Sequence, residues 1–332
     1  MNTDAIATLR EQLLAALNPA PAESRRLFHG RGRRWPGLEQ LTADWLEGVL
    51  LVSLFREPAE GELAALRTML VELAQSETWR ATGARSLMLQ HRYTLESTME
   101  VLHGEAFDGW QISEHGLRYQ LDLGRKQNNG LFLDMRYGRQ WVQANASGLR
   151  VLNLFAYTCG FSVAAIAGGA QKVVNLDMAR AALSRGRDNH RLNGHDLSRV
   201  SFLDHDLFKS WGKVKKSGPY DLIIIDPPSF QKGSFVLDKD YARVLRRLPE
   251  LLDGSGTVLA CVNDPAVGID FLLQGMATEA PHLRFIERLE NPPEFADIEE
   301  DSGLKALVFR LDCSVGRITP TALSAVSSLR GT

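Results

Sequence analysis

The sequence predicts an α/β protein: a mostly parallel sheet with an antiparallel terminal strand pair, preceded by a small α+β domain. Three observations predict it. From about residue 150, short apolar runs alternate regularly with helical stretches. The runs are continuous rather than alternating, as strands covered by helices on both faces require. Two later runs, "LRFIERL" and "ALVFRLD", flank the loop "ENPPEFADIEEDSGLK" and read as the closing pair.

Taken in order, residues 1–30 read as a helical N-terminal extension that breaks at "NPAPAESRR". The start has no apolar core followed by a cleavage site, so it reads as an amphipathic helix and not as a signal peptide. Residues 31–122 read as the small α+β domain, a candidate substrate-binding unit. "GVLLVSLF" suits a strand, "ELAALRTMLVELAQSE" has helical spacing, and "SLMLQHRYT" and "WQISEHGLRYQLDLG" suit strands. Residues 123–332 form the larger domain, with strands expected at 151–155, 172–177, 199–204, 221–226 and 256–263. The helical stretch "MARAALSRGRDNHRLNG" stops on Gly194.

Of 332 residues, 44% are hydrophobic and 23% charged, a globular balance that suits two domains. No apolar run approaches the roughly 20 residues of a membrane span. Cys159, Cys261 and Cys313 are too few and too scattered for a disulfide framework or a zinc site. A cytoplasmic protein with reduced thiols and no bound metal is expected. The net charge of −2 speaks against bulk binding of duplex nucleic acid but leaves room for a local patch. "RRLFHGRGRRWPG" is such a candidate: five arginines lie in residues 25–34, with Phe28 and Trp35 close by. It reads either as a solvated loop or as a phosphate-contacting patch with stacking aromatics.

In an open α/β sheet, ligands bind beyond the carboxyl ends of the strands. Here those ends carry "LFAYTCGFS", Asp177, Asp206 and Asp226. The loop lacks the G-x-G-x-x-G of dinucleotide sites; only Gly160 opens the following helix, and Tyr157, Cys159 and Phe161 crowd the turn. That disfavours a pyrophosphate and an NAD-dependent oxidoreductase. Asp177 can accept from ribose hydroxyls and Asp206 from an adenine amino group, although each also reads as a helix cap. An adenosine without phosphates that carries an amino acid is S-adenosylmethionine. In "IIIDPPSF", Pro227 cannot continue the ladder and holds Asp226 extended, with its carboxylate aimed out of the sheet edge. Phe230 follows four residues on and can stack on a planar base, or lie in the core.

The span from "GLFLDMR" through "VLNLFAYTCGFS", "NLDMARAALSRGRDNHRLNG", "DHDLFK" and "IDPPSF" resembles the class I S-adenosylmethionine-dependent methyltransferases that modify bacterial large-subunit ribosomal RNA. These are the cytosine-5 and guanine-N7 enzymes, whose sheet is Rossmann-like. The resemblance implies that Phe155, Ala156, Tyr157 and Thr158 line the methionine side of the cofactor. It implies that Arg136 holds its carboxylate or orders the loop that does, and that Met178 packs on the adenine. Asp206 and Leu207 would fix the adenine edge, and Asp226 would face the methyl-transfer centre with Phe230 nearby. The family loop usually reads T-G-G; Cys159 replaces the middle glycine and is strained if that position needs a positive φ. The PUA domain of the cytosine-5 members is not recognisable in residues 1–30.

The resemblance also bears on the target atom. Cytosine-5 enzymes add a cysteine thiolate to the base first. In those relatives it stands seven residues after the second glycine that starts the fifth strand. Counted from Gly256, that position is Asn263, and Cys261 lies two residues earlier, roughly 6–7 Å back in the strand. The guanine-N7 relatives carry asparagine in this region. The expectation is therefore a methyltransferase acting on structured RNA, ribosomal in kind, at a base nitrogen, with Asp226, Pro227, Phe230 and Asn263 at the reaction centre. Alternatives are a cytosine-5 enzyme using Cys261, and an enzyme of the same fold acting on a protein or small molecule.

Overall fold

The computed structural model describes residues 1–124, 127–231 and 234–312. Cys313 and the remaining stretch to 332 lie outside the described residues. The chain begins with helix α1 (Thr3–Ala16) and strands β1 (Arg25–His29), β2 (Leu41–Trp45) and β3 (Val49–Leu54). Helices α2 (Glu60–Gln75) and α3 (Glu77–Thr82) carry the crossover to β4 (Ser86–His91), and β5 (Thr98–Gly104) follows. These strands form one sheet in sequence order, antiparallel except for the parallel β3–β4 pair. Leu9 and Leu13 of α1 and Leu66, Leu70 and Leu73 of α2 are fully buried against Leu41, Leu50 and Val52 of the sheet. Residues 25–29, expected within a helical extension, are thus an edge strand. Phe28 is core, and its ring meets that of Trp35 at 5.6 Å.

A hairpin, β6 (Gly109–Glu114) and β7 (Leu117–Asp122), covers the sheet's other face, where Ile112, Tyr119 and Leu121 join Val49, Leu51 and Met88 in one cluster. Val163 and Ala164 of a later helix complete that cluster.

From residue 136 the chain alternates: α4 (Arg136–Asn145), β8 (Arg150–Leu154), α5 (Gly160–Ala167), β9 (Lys172–Leu176), α6 (Arg180–Leu192), β10 (Val200–Leu203), α7 (Trp211–Ser217) and β11 (Tyr220–Ile225). A short pair, β12 (Phe230–Gln231) and β13 (Phe235–Val236), precedes α8 (Leu237–Leu245), α9 (Leu248–Leu251), β14 (Leu252–Val262), α10 (Asp270–Glu279), β15 (Leu283–Arg288) and β16 (Lys305–Leu311). The seven-stranded sheet has the order β10-β9-β8-β11-β14-β16-β15, parallel except for β16, which runs antiparallel to both neighbours. Ile223 and Ile225 face one core cluster, Leu222 and Ile224 the other. Burial on both faces explains the unbroken apolar run. The order reverses between β8 and β11, whose last residues Leu154 and Ile225 are paired in register. That switch point is where an open α/β sheet leaves room for a ligand.

Candidate functional site

A cavity of about 480 Å³ opens at the switch point, lined by the loops after β8, β9, β11 and β14 and by residues 128–135. The loop after β8 has three non-glycine residues in left-handed backbone: Phe155 (φ 58°), Tyr157 (φ 47°) and Cys159 (φ 63°). Each such residue costs about 1–2 kcal/mol, so the turn must be held from outside. Tyr157 N–H donates to Asp177 Oδ2 at 2.8 Å, and Asn189 Nδ2 donates to the Thr158 carbonyl at 3.0 Å. Thr158 Oγ1 donates to the Gly130 carbonyl. The positive φ on which the strain of Cys159 was conditional is present. The buried thiol fits because residue 186 of α6 is glycine; a Cβ there would lie 2.3 Å from Cys159 Sγ.

Three carboxyl groups face this cavity. Asp177 also accepts from Ala179 N–H at 2.8 Å. Burial raises its pKa, and the backbone N–H groups of Ala179, Tyr157 and Met178 only partly offset this. With those three N–H groups on its two oxygens, about one of the four acceptor sites is left for a ligand. Asp226 is pushed up to about 7 by burial of its carboxyl and by Asp134, against a smaller opposing pull from Arg139. Asp134 is raised by burial too, and its Oδ2 accepts from Asn263 Nδ2 at 2.6 Å. Ser229 Oγ donates to the Asn263 carbonyl at 3.5 Å, tying the Asp-Pro-Pro turn to the end of β14.

The cavity brings together Phe155, Ala156, Tyr157, Thr158, Gly160, Asp177, Asp226, Pro227, Phe230 and Asn263 of the expected residues. Phe230 is 66% exposed at the rim, not in the core. Met178, Asp206 and Leu207 line a smaller adjoining cavity of about 20 Å³, which shares Phe155, Asp177 and Gln231 with the first. Asp206 Oδ1 caps Phe208 N–H at 2.9 Å, so its cap reading describes at least one of its oxygens.

Arg136, expected to hold the cofactor carboxylate or to order the loop that does, is not among the residues lining the cavity. It is buried, 3.4 Å from Glu294 and 3.7 Å from Glu23, two carboxylates that engage its guanidinium. The arginine that does line the cavity is Arg139, three residues on. Its Nε and Nη2 bind Glu114 of the hairpin at 2.6 and 2.8 Å, and Nη2 also donates to the Phe132 carbonyl. Asp134 and Arg139 escaped sequence reasoning, although Asp134 lies inside the "GLFLDMR" motif. Cys261 is 0% exposed and faces Leu222, Ile224 and Ala306 in the core. Burial, Asp226 and Asp134 hold its thiol well above the ordinary cysteine value.

The donor set is one-sided: three carboxyls against one arginine already spent on Glu114. It suits hydroxyls, amino groups and positive charge, and offers a phosphate no cradle. Among the described residues no group of three or more His, Cys, Asp or Glu is set to hold a metal, and no helix is long and apolar enough to cross a membrane. The model of the S-adenosylmethionine-dependent methyltransferase family matches residues 25–310. The chain belongs to the S-adenosylmethionine-dependent methyltransferases. The carboxyl-rich cavity fits that cofactor, which pairs a ribose and an amino acid with a sulfonium cation.

Relatives of this methyltransferase include ribosomal RNA large subunit methyltransferase I of Erwinia tasmaniensis, 36% identical over 302 residues, 87% of this chain and 75% of that one. The enzyme of the same name from Aeromonas salmonicida is 34% identical over 203 residues, 59% of this chain. The matched part spans half the length of the Aeromonas enzyme. Among solved structures, a protein from Streptococcus mutans assigned to this enzyme class superposes with TM-score 0.81 at 24% identity, covering 93% of this chain and 81% of its own. That likeness bears on the fold alone.

Proposed function

We propose that the chain methylates large-subunit ribosomal RNA at a base nitrogen of the guanine-N7 type. The names of the Erwinia and Aeromonas relatives support the RNA class. The observation that carries the nitrogen reading is at the end of β14. Asn263, not cysteine, meets the cavity there, while the Cys261 thiol is sealed in the core and held protonated. Carbon-5 of cytosine needs a thiolate adduct first, whereas N7 of guanine has a free lone pair and no proton to lose. Its methylation calls for positioning more than for a base.

On this reading residues 123–332 carry the cofactor site and residues 31–122 receive the substrate. S-adenosylmethionine, when bound, supplies an electrophilic methyl group. Asp177 accepts from ribose hydroxyls, and Phe155, Ala156, Tyr157, Thr158 and Gly160 wall the methionine side. Met178, Asp206 and Leu207 take the adenine end. Asn263, braced by Asp134, orients the base edge by hydrogen bonding, with Pro227 fixing Asp226 beside it. Phe230 offers its exposed ring for stacking, a contact worth about 1–3 kcal/mol per base.

Mass mapping of ribosomal RNA from a strain lacking the gene tests this. The expected result is the loss of one 7-methylguanosine from the large subunit. Loss of a 5-methylcytidine instead overturns the nitrogen assignment. An unchanged map overturns the RNA reading and favours a protein or small-molecule substrate.

A further inference from the structure

A second cavity, of about 540 Å³, adjoins the first and shares Asn128, Phe132, Asp134 and Asn263 with it. Four arginines line it: Arg26, Arg31, Arg33 and Arg92. Two are already neutralised. Arg26 pairs with Asp44 at 2.5 Å, and Arg33 pairs with Asp297 at 2.8 Å and Glu299 at 3.2 Å. Arg31 and Arg92 form no ion pair among the described residues. Both guanidinium groups instead lie over the ring of Phe55, at 4.2 and 4.7 Å from its centroid. Desolvation lowers the pKa of both; Arg26 adds to this for Arg31, and Arg31 and Arg26 for Arg92, where Asp44 opposes them without reversing the shift. Asp44, Asp134 and Asp297 also line the cavity, but Asp44 and Asp297 are taken by Arg26 and Arg33. Two charges held close without an ion-pair partner of their own are a standing electrostatic cost that a bound anion lowers.

The cations are also fixed in place. Arg31 sits between Gly30 and Gly32 on a single tight turn; a Cβ on Gly30 would lie 1.9 Å from the Leu38 carbonyl oxygen, and one on Gly32 2.2 Å from that of Ala296. Arg92 Nη2 donates to Asn128 Oδ1 at 3.0 Å, and Asn128 lines both cavities. His29 beside them is held neutral, its pKa brought down to about 3 by burial, Arg26 and Arg31. It neither competes for the anion nor titrates near pH 7.

We infer that the second cavity binds a phosphodiester of the RNA strand next to the nucleotide being methylated, held by Arg31 and Arg92 over Phe55. The inference rests on the RNA reading above. It narrows the arginine-rich segment to one residue, Arg31, and adds a partner 61 positions away that the segment does not contain. Arg33 and Arg26 serve the fold.

The test is methyl transfer into large-subunit ribosomal RNA from a strain lacking the gene, with the whole chain as parent, Arg31→Gln/Arg92→Gln and Arg31→Lys/Arg92→Lys. The glutamine pair is expected to raise KM for RNA about tenfold or more, with kcat at saturating RNA little changed. The slope of log affinity against log salt should fall by about 0.7, one single-strand phosphate contact. The lysine pair keeps the slope, and calorimetry with S-adenosylhomocysteine shows unchanged affinity in both. A glutamine pair with the parent's KM and salt slope overturns the inference while the RNA reading stands. Loss of S-adenosylhomocysteine affinity in step with RNA affinity also overturns it, because the arginines would then be holding the cofactor cavity. A parent that methylates no RNA removes the reading and this inference together.

Discussion

At the scale of single residues, Asp226 is where the site's electrostatics are most exposed to measurement. Its carboxyl titrates near 7 because it is buried beside Asp134. The sign of the consequence is fixed by linkage. Unfolded, the group ionises around 3.8; folded, it keeps its proton to about 7. The folded state without ligand therefore loses stability as pH rises between those values, and the loss is complete above about 7. Asp226→Asn removes that dependence, and denaturation midpoints at pH 5.5 and 8.5 check it. A cation near the carboxylate works in the opposite direction, favouring the ionised form. Affinity for S-adenosylmethionine relative to S-adenosylhomocysteine should thus climb about tenfold or more between pH 5.5 and 8.5 in the parent. The two ligands share every other group, so their ratio isolates the sulfonium. In Asp226→Asn the ratio should be flat with pH. A flat ratio in the parent would remove Asp226 from the methyl-transfer centre.

At the scale of elements, the β8–α5 turn is paid for by its neighbour α6. Glycine in mid-helix costs about 1 kcal/mol relative to alanine, yet α6 has Gly186. A Cβ at 186 would approach Cys159 Sγ to 2.3 Å, Cys159 Cβ to 2.8 Å and the Thr158 carbonyl oxygen to 3.2 Å. Gly186→Ala therefore destabilises by about 1–3 kcal/mol through overpacking, despite the better helix residue. It should also weaken S-adenosylhomocysteine binding about tenfold by displacing residues 157–159. Cys159→Gly in the same chain reopens the space and puts glycine where φ is 63°, so the double variant recovers both properties. Denaturation midpoints and calorimetry on the three variants decide it; a Gly186→Ala chain as stable as the parent sinks the packing account. This coupling was half legible in the sequence. The cysteine in a glycine position announced itself, but its glycine partner 27 residues on looked like any other helical residue. Strands divided in the same way. Those buried on both faces, such as β11, read clearly from their apolar runs. The edge strands of the first sheet did not: β5 is largely exposed and β1 begins with two arginines, so neither carries a burial period to read.

At the scale of the whole molecule, the strand-end aspartates were readable because one chain direction delivers them all to one edge. What remained hidden depends on distant segments meeting: Asp134 against Asn263, Arg92 beside Arg31, and Arg139 against Glu114. No local pattern reports a contact between residues tens of positions apart. The hairpin β6–β7 joins the first sheet to the helices of the second. Gln120 N–H donates to Asn189 Oδ1 at 2.9 Å and Arg118 Nη2 to the Leu192 carbonyl at 2.8 Å, fastening it to α6. Glu114 reaches α4 through the paired bonds to Arg139, with side-chain exposures of 1% and 4%. Burial pulls the Arg139 pKa down, but Glu114 outweighs it and holds the guanidinium above its ordinary value. Glu114→Ala would strand that cation beside the switch-point cavity, at a cost of about 3–5 kcal/mol. Replacing both members, as Glu114→Leu/Arg139→Met, removes the charge along with its partner. It should lower the denaturation midpoint less than the single change does, because an apolar pair of similar size avoids the unpaired buried ion. If the single and double variants unfold at the same denaturant concentration, the junction is held by the apolar contacts of Ile112, Tyr119 and Leu121 alone. If the double variant is the more stable of the two, the ion pair sets how the hairpin seats on α4 and costs stability only when broken. S-adenosylhomocysteine affinity separates the remaining roles: retained stability with lost affinity in the double variant would mean that Arg139, through its bond to the Phe132 carbonyl, shapes the cavity wall at Asp134.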